Sequence, residues 1–207
     1  MRATLLVLTL AFATAAGAAH AAPGTFMIVE GDLGYAMGEA FPEAPTGLAT
    51  GITLGAGGKP KGWPLRFYGV LNLDWESLTS DVTSPGERSS LTRDTFAWSL
   101  GLRVIAPIRN RLRFFSEVTL GGYSVASTST LGGGAEQLSS DDGSFLVRFA
   151  AGLQWRFNMW FSLGARIDLK VPTGLQSFDA IAEAAGASSS NAGISNVGFG
   201  LTATFHL

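Results

Sequence analysis

The reactive side chains of this sequence are almost all carboxylates and guanidiniums. There is no cysteine, which excludes disulfides, thiolate catalysis and iron–sulfur ligation. The two histidines are His20, near the N-terminus, and His206, the penultimate residue. Neither is spaced with a serine or an acid in the way that activating a nucleophile or water requires. Asp141-Asp142-Gly143 lacks the ligand spacing of a calcium loop and reads as a turn. No catalytic, cofactor or metal site is expected, and the protein reads as a non-enzyme. What remains is a set of charges that keep to alternate positions of apolar segments. The acids are Glu30, Asp32, Asp74, Glu76, Glu117 and Asp168; the bases are Arg66, Arg103, Arg113, Arg148, Arg156, Arg166 and Lys170. Such a set can form a salt-bridged plug, or a gated pore in which the pairs exchange partners.

The elements that must carry these charges are visible as a period of two. After Trp160, the positions Phe161, Leu163, Ala165, Ile167, Leu169 and Val171 are apolar, while Ser162, Gly164, Arg166, Asp168 and Lys170 between them are small or charged. Successive side chains of a strand point to opposite faces, so this is a strand between two unlike environments. The same alternation marks residues 25–37, 48–56, 65–76, 95–106, 111–125, 145–157 and 194–207. Eight strands result. Most exceed the ~5–6 residues usual in soluble proteins and reach the ~9–11 that a tilted strand needs to cross a bilayer.

Composition agrees with strands in a membrane rather than helices. Only 14% of residues are charged, against about 25% in soluble domains. No apolar run after residue 22 is long enough for a transmembrane helix. A net charge of −2 gives no reason to expect nucleic acid as a partner. Met1-Arg2, the apolar stretch Thr4–Ala16 and Ala19-His20-Ala21 have the form of a signal peptide, so residues 1–21 are expected to be removed, leaving 22–207 as one barrel.

Alternation does not say which face is inside. A soluble eight-stranded barrel would turn its apolar face inward. Three features argue for the reverse. The non-apolar face is rich in Gly, Ala, Ser and Thr, which suits a crowded lumen better than a solvated wall. Connections alternate between long (77–93, 126–143, 173–192) and short (107–110, 158–160, with 57–63 intermediate), the arrangement of external loops and periplasmic turns. Aromatics fall in two bands. Trp63, Phe67, Phe114, Trp155, Phe157, Trp160, Phe161 and Phe205 lie toward the short turns, and Tyr35, Trp75, Phe96, Trp98, Phe145 and Phe149 toward the loops. Two such girdles sit where a barrel meets the two membrane interfaces. Parity also requires a three-residue connection, Asn158 to Trp160, so that Phe157 and Phe161 share a face. The reading is an all-β, eight-stranded antiparallel up-and-down transmembrane β-barrel.

In this pattern the chain resembles the small outer-membrane β-barrel superfamily, which includes the transmembrane domain of outer membrane protein A, over roughly 24–207. The resemblance lies in topology rather than in a motif. It implies a place in the bacterial outer membrane, contact with its lipid and lipopolysaccharide, and insertion by the barrel-assembly machinery. The last strand alternates Phe199, Leu201, Ala203 and Phe205 but ends on Leu207, where the family commonly has an aromatic. Strand direction places Arg66, Arg103, Arg113 and Arg156 toward the periplasmic end, Glu30, Glu117 and Arg166 near the middle, and Asp74, Glu76, Arg148, Asp168 and Lys170 toward the outside. Three functions fit: a structural or surface-interaction barrel with a salt-bridged lumen and a protein partner at its loops, a narrow pore or carrier for small or apolar solutes, or a subunit of a larger envelope complex. A pocket among Leu131, Leu138, Phe178 and Ile181 would favour the carrier, and residues 178–187 have the composition of a short helix.

Overall fold

In a computed structural model, residues 25–38, 46–84, 87–130, 137–173 and 196–207 are described. They form eight strands: β1 (Thr25–Gly38), β2 (Thr46–Gly58), β3 (Arg66–Ser84), β4 (Glu87–Pro107), β5 (Leu112–Thr130), β6 (Gln137–Arg156), β7 (Phe161–Thr173) and β8 (Asn196–His206). Each pairs antiparallel with its neighbours in sequence, and β1 pairs with β8, closing the barrel. Closure leaves no strand edge unpaired. This is one of the two ways a chain can satisfy its backbone groups inside a bilayer.

The period of two becomes a division between wall and lumen. Apolar residues that sit opposite one another across the register include Leu33 and Leu201, Leu54 and Leu71, Leu71 and Leu100, Leu100 and Leu120, and Phe149 and Leu169. Leu201 is 72% exposed and Leu33 58%. The charged and hydroxyl residues between them point inward and are buried. A water-soluble barrel would have the opposite distribution.

Aromatic contacts lie at both levels of the wall. Phe161 stacks between Phe157 and Phe205, at ring distances of 6.0 and 5.2 Å, and Trp63 meets Phe67 edge-on at 5.7 Å. At the other level Trp75 and Phe96 are 5.4 Å apart. Trp155, Phe114, Phe145 and Trp160 are exposed on the same wall, whereas Trp98 is half-buried.

The short connections are built from local chemistry. Phe157 to Trp160 join β6 to β7. The Phe157 amide donates to the Phe161 carbonyl, which leaves the expected three-residue turn Asn158 to Trp160, and the Asn158 side-chain oxygen accepts hydrogen bonds from the Trp160 and Phe161 amides at 2.8 and 2.9 Å. An asparagine capping its own turn in this way is a recurrent device. Between β2 and β3, the Trp63 amide donates to the Pro60 carbonyl, and Gly62 takes a φ of 84°, a conformation that favours glycine.

Strand length differs around the barrel. β1, β2, β7 and β8 have 14, 13, 13 and 11 residues, while β3 to β6 have 19, 21, 19 and 20. Thirteen residues extend about 43 Å. At a tilt of ~45° they span about 30 Å, the thickness of the hydrocarbon. Twenty rise about 15 Å further. This corrects two of the expected loops. Most of 77–93 and 126–143 is paired strand, with Ser77 opposite Asp94 through Ser84 opposite Glu87, and Ala126 opposite Asp141 through Thr130 opposite Gln137. Asp141 and Asp142 therefore lie within β6 rather than in a turn. Ser and Thr segments read as loops by polarity, yet Thr and Val are β-branched and extend readily once a hairpin is in register. Residues 1–24, the expected 178–187 helix, and Leu131, Phe178 and Ile181 lie outside the described residues.

An arginine placed on the outward face should meet hydrocarbon. Leu201→Arg is expected to lower stability by about 2–4 kcal/mol in urea unfolding from lipid vesicles. A loss below about 1 kcal/mol would place that face away from the bilayer core.

Candidate functional site

The lumen is organised around Arg103 on β4. Its guanidinium grips Glu30 of β1 with two nitrogens, at 3.0 and 2.9 Å, and donates through Nε to Glu117 of β5 at 2.7 Å. Glu30 also accepts hydrogen bonds from Thr204 at 2.6 Å and Gln154 at 2.9 Å. Arg103, Glu30 and Glu117 are buried, so a two-nitrogen grip is the geometry that best offsets their desolvation.

From Glu117 the network continues outward. Its second oxygen accepts from Asn72 at 2.7 Å and from Arg148 at 3.4 Å. Arg148 binds Asp168 at 2.7 Å and lies 3.5 Å from Asp74. Arg166 reaches Asp32 at 2.9 Å and Asp168 at 2.6 Å, and stands 3.6 Å from Glu30. Lys170 holds Glu76 at 2.6 Å and sits 3.7 Å from Asp74. Arg148 and Lys170 are directly opposite in the β6–β7 register. Like charges opposed in this way destabilise a sheet; Asp74, between them, offsets the repulsion.

Two further residues extend the chain. Asn196 donates to Glu76 at 2.9 Å and accepts from Arg93 at 2.7 Å. Thr53 of β2 donates to Asn72 at 2.6 Å. One connected polar network thus includes a side chain from each of the eight strands.

The structure places the six candidate acids in this network with four of the seven candidate bases. Arg103 differs from its expected depth: it is the direct partner of Glu117 in the β4–β5 register, so it lies in the middle with Glu30 and Glu117 rather than at the periplasmic end. Arg66, Arg113 and Arg156 lie elsewhere, at the short-turn mouth. Arg156 donates to the turn carbonyls of Asn158 and Met159 at 2.8 and 2.7 Å. Arg113 and Arg156 form no ion pair with any carboxylate among the described residues.

Between the mouth and the network lies an apolar septum of Ile28, Tyr68, Val70, Ile105 and Phe115, all buried. Its members sit two residues toward the short-turn mouth from network members: Ile28 from Glu30, Val70 from Asn72, Ile105 from Arg103 and Phe115 from Glu117. The Arg103 guanidinium lies 4.7 Å from the centre of the Phe115 ring. That contact joins septum to network by a cation–π interaction. Gly55 faces the same septum; a β-carbon there would lie 2.7 Å from Ile28 Cγ1, so the layer closes over a position with no side chain. A second apolar cluster, Ala97, Tyr123, Val125 and Leu146, lies toward the long hairpins. A partly open pocket beside Asp32, Asp74 and Asp168 has about 10 Å³ of free space, the volume of one water-sized sphere.

Reasoning from residue types missed the septum, because an apolar residue on the lumenal face carries no mark of its own. It also missed Arg93, which lay in a segment read as loop, and the pairing of Ser162 with His206. Ser162 Oγ and His206 Nε2 share a hydrogen bond of 2.8 Å. Both are buried beside the mouth arginines, Ser162 with 0% and His206 with 4% exposure. Only the parity of the last two strands could have brought them together, since they are 44 residues apart.

No protein-family profile and no curated protein matches the chain. Among solved structures it is similar to Neisserial surface protein A, with 13% identity over 86% of this chain and 96% of that one at a TM-score of 0.46. It is similar to Ail, the attachment invasion locus protein of Yersinia pestis, with 12% identity over 89% and 99% at a TM-score of 0.48. A third is the outer membrane enzyme PagL, with 15% identity over 84% and 97% at a TM-score of 0.43.

Removing Arg103 should leave Glu30 and Glu117 short of countercharge. Arg103→Met is expected to cost about 3–5 kcal/mol in urea unfolding. Adding Glu30→Gln should recover part of that loss, which a double-mutant cycle would detect as coupling between the two sites.

The closed eight-stranded meander, the apolar wall and the charged lumen together make the chain an all-antiparallel, eight-stranded β-barrel of transmembrane form.

Proposed function

We propose that the protein is a non-enzymatic, integral outer-membrane barrel whose lumen is plugged and whose working surface is the long-hairpin end. One observation carries the reading: the lumen is filled by a network tied to all eight strands and backed by an apolar septum. Such a filling offers neither a path for solute nor a cleft for substrate. An eight-stranded barrel is just wide enough for its side chains to fill. Conduction here would require both breaking buried ion pairs and wetting the septum.

In this reading residues 1–21 direct export, the wall contacts lipid and lipopolysaccharide, and the barrel-assembly machinery inserts the chain. The four long strands β3 to β6 are neighbours, so their extensions form one paired platform beyond the bilayer. A platform of this kind suits contact with a protein partner, because its backbone is already ordered before binding.

The test is single-channel recording of the refolded barrel in a planar bilayer. The wild type is expected to be silent. A Glu117→Ala, Phe115→Ala double variant, which opens network and septum together, is expected to give discrete openings. Steady, ion-selective openings in the wild type would overturn the plug and favour a narrow pore.

A further inference from the structure

We infer that the short-turn rim of the barrel binds the headgroups of anionic phospholipids, through Lys59 and Lys61 of one turn and Arg109 and Arg111 of the next. The inference rests on the reading of the apolar wall as lipid-facing, and goes beyond it by naming the lipid that this end of the wall selects.

The topology brings the four bases together. In an antiparallel meander every second connection falls at the same end. The β2–β3, β4–β5 and β6–β7 connections therefore share one rim, where the chain end Leu207 also pairs with Met27. Residues 59–65, 108–111 and 157–160 contain these four bases and no acidic side chain. All four are exposed, and none forms an ion pair among the described residues. The connections of the opposite end, 39–45, 85–86, 131–136 and 174–195, reverse the balance. They contain Glu39, Glu43, Glu136, Asp179 and Glu183 and not one base. Charge is thus sorted by end, independently of the lumen network.

A second observation sets the depth of the basic rim. Trp63, two residues from Lys61, is 54% exposed, and its ring meets Phe67 of the wall edge-on at 5.7 Å. On the β6–β7 connection, exposed Phe157 and Trp160 flank the stack of Phe161 and Phe205. Exposed tryptophans at the end of a lipid-facing wall mark the boundary between acyl chains and headgroups. The other basic turn is fixed at the same end. The Arg109 amide donates to the Leu112 carbonyl at 3.1 Å, and the Arg111 carbonyl accepts from the Arg156 amide of β6 at 2.8 Å. Exposed Ile108 stands beside Arg109, so this turn also pairs an apolar side chain with its bases. Lysine and arginine stems of this kind lie along apolar surface and present their charge to the headgroups.

The charge balance selects the headgroup. A zwitterionic lipid brings its own cation and leaves the rim as positive as before. A phosphodiester with net negative charge supplies what the turns lack. The acidic connections of the opposite end would be repelled by the same leaflet, so the sorting of charge also favours one orientation across the membrane.

The test measures lipid selectivity at the rim. The refolded protein carries Trp75→Phe and Trp98→Phe, which leaves Trp63, Trp155 and Trp160, all at the short-turn end. In phosphatidylcholine vesicles, their fluorescence is quenched by phosphatidylcholine or phosphatidylglycerol brominated close to the headgroup, at equal mole fraction. Phosphatidylglycerol is expected to be preferred about fivefold, and less in high salt. Replacing Lys59, Lys61, Arg109 and Arg111 together by Gln should bring the ratio close to one. Arg109→Lys with Arg111→Lys, which keeps the charges, should retain it. Each variant is first checked for the heat-dependent gel shift of a folded barrel. If the fourfold variant fails to fold, the two turns are neutralised separately, and each should lower the preference. Equal quenching by the two lipids, or a preference that survives neutralisation, would overturn the inference and leave the lipid-facing wall intact. No quenching by either lipid would overturn the reading of the wall as well.

Discussion

The constraint on which this structure rests is that a charge inside a narrow barrel has nowhere to go. Most charged side chains of the lumen are buried, so an unpaired ion among them costs several kcal/mol. Arg103 satisfies the requirement by spanning the lumen, with one side of its guanidinium on β1 and the other on β5. Arg148 and Arg166 repeat the device further out, each shared between acids of different strands. Each bridge works only if the strands it joins are in register. A slip of one residue would turn the carboxylates into hydrocarbon and the leucines into the lumen. The network therefore specifies closure and register more than it adds net stability, since buried ion pairs often do little better than apolar packing.

This arrangement gives the lumen an order along its axis. From the long-hairpin end, a mixed layer of Arg93, Asn196 and Tyr123 gives way to the acid-rich network, then to the septum, then to the basic mouth. Six acids and five bases, counting Arg93, share the network side, while Arg66, Arg113 and Arg156 stand on the other. The septum decides this asymmetry. The barrel thus holds two compartments along its axis: an acid-rich one whose ion pairs nearly balance, and a basic one at the short-turn mouth.

Much of this was legible from alternation. Phe161 to Val171 fixed both faces of β7, and the same period placed Arg166, Asp168 and Lys170 on one side before any partner was known. The inside-out orientation followed from small residues such as Gly164 and Gly198 on the polar face. What alternation could not show was which acid meets which base, because that depends on the stagger between strands and on side-chain reach. Arg103 illustrates this: counted along its own strand it falls at one end, and only the register that puts it opposite Glu117 shows that it belongs to the middle level. Ile28, Ile105 and Phe115 were invisible for another reason. Parity assigns them to the lumen, but a hydrophobic residue among hydrophobic residues breaks no pattern. The Ser- and Thr-rich ends of β3 to β6 were misread because polarity signals exposure, and exposure is compatible with a strand as much as with a loop.

Those extended ends bear on why a sealed barrel would be retained at all. A lumen filled by buried ion pairs is an expensive way to make a pore and an effective way to make a rigid post. β3, β4, β5 and β6 are consecutive, so their extra length rises on one side of the barrel while the other strands stop near the membrane surface. The projecting hairpins inherit their register from the network below. Glu76 and Arg93, near the level where the hairpins leave the wall, are tied through Asn196 to β8, on the other side of the molecule. Bending the platform against the barrel would disturb that linkage among buried groups. In the proposed reading the plug and the platform are one mechanical unit, so that stiffness gained in the lumen reaches the surface where a partner would be met.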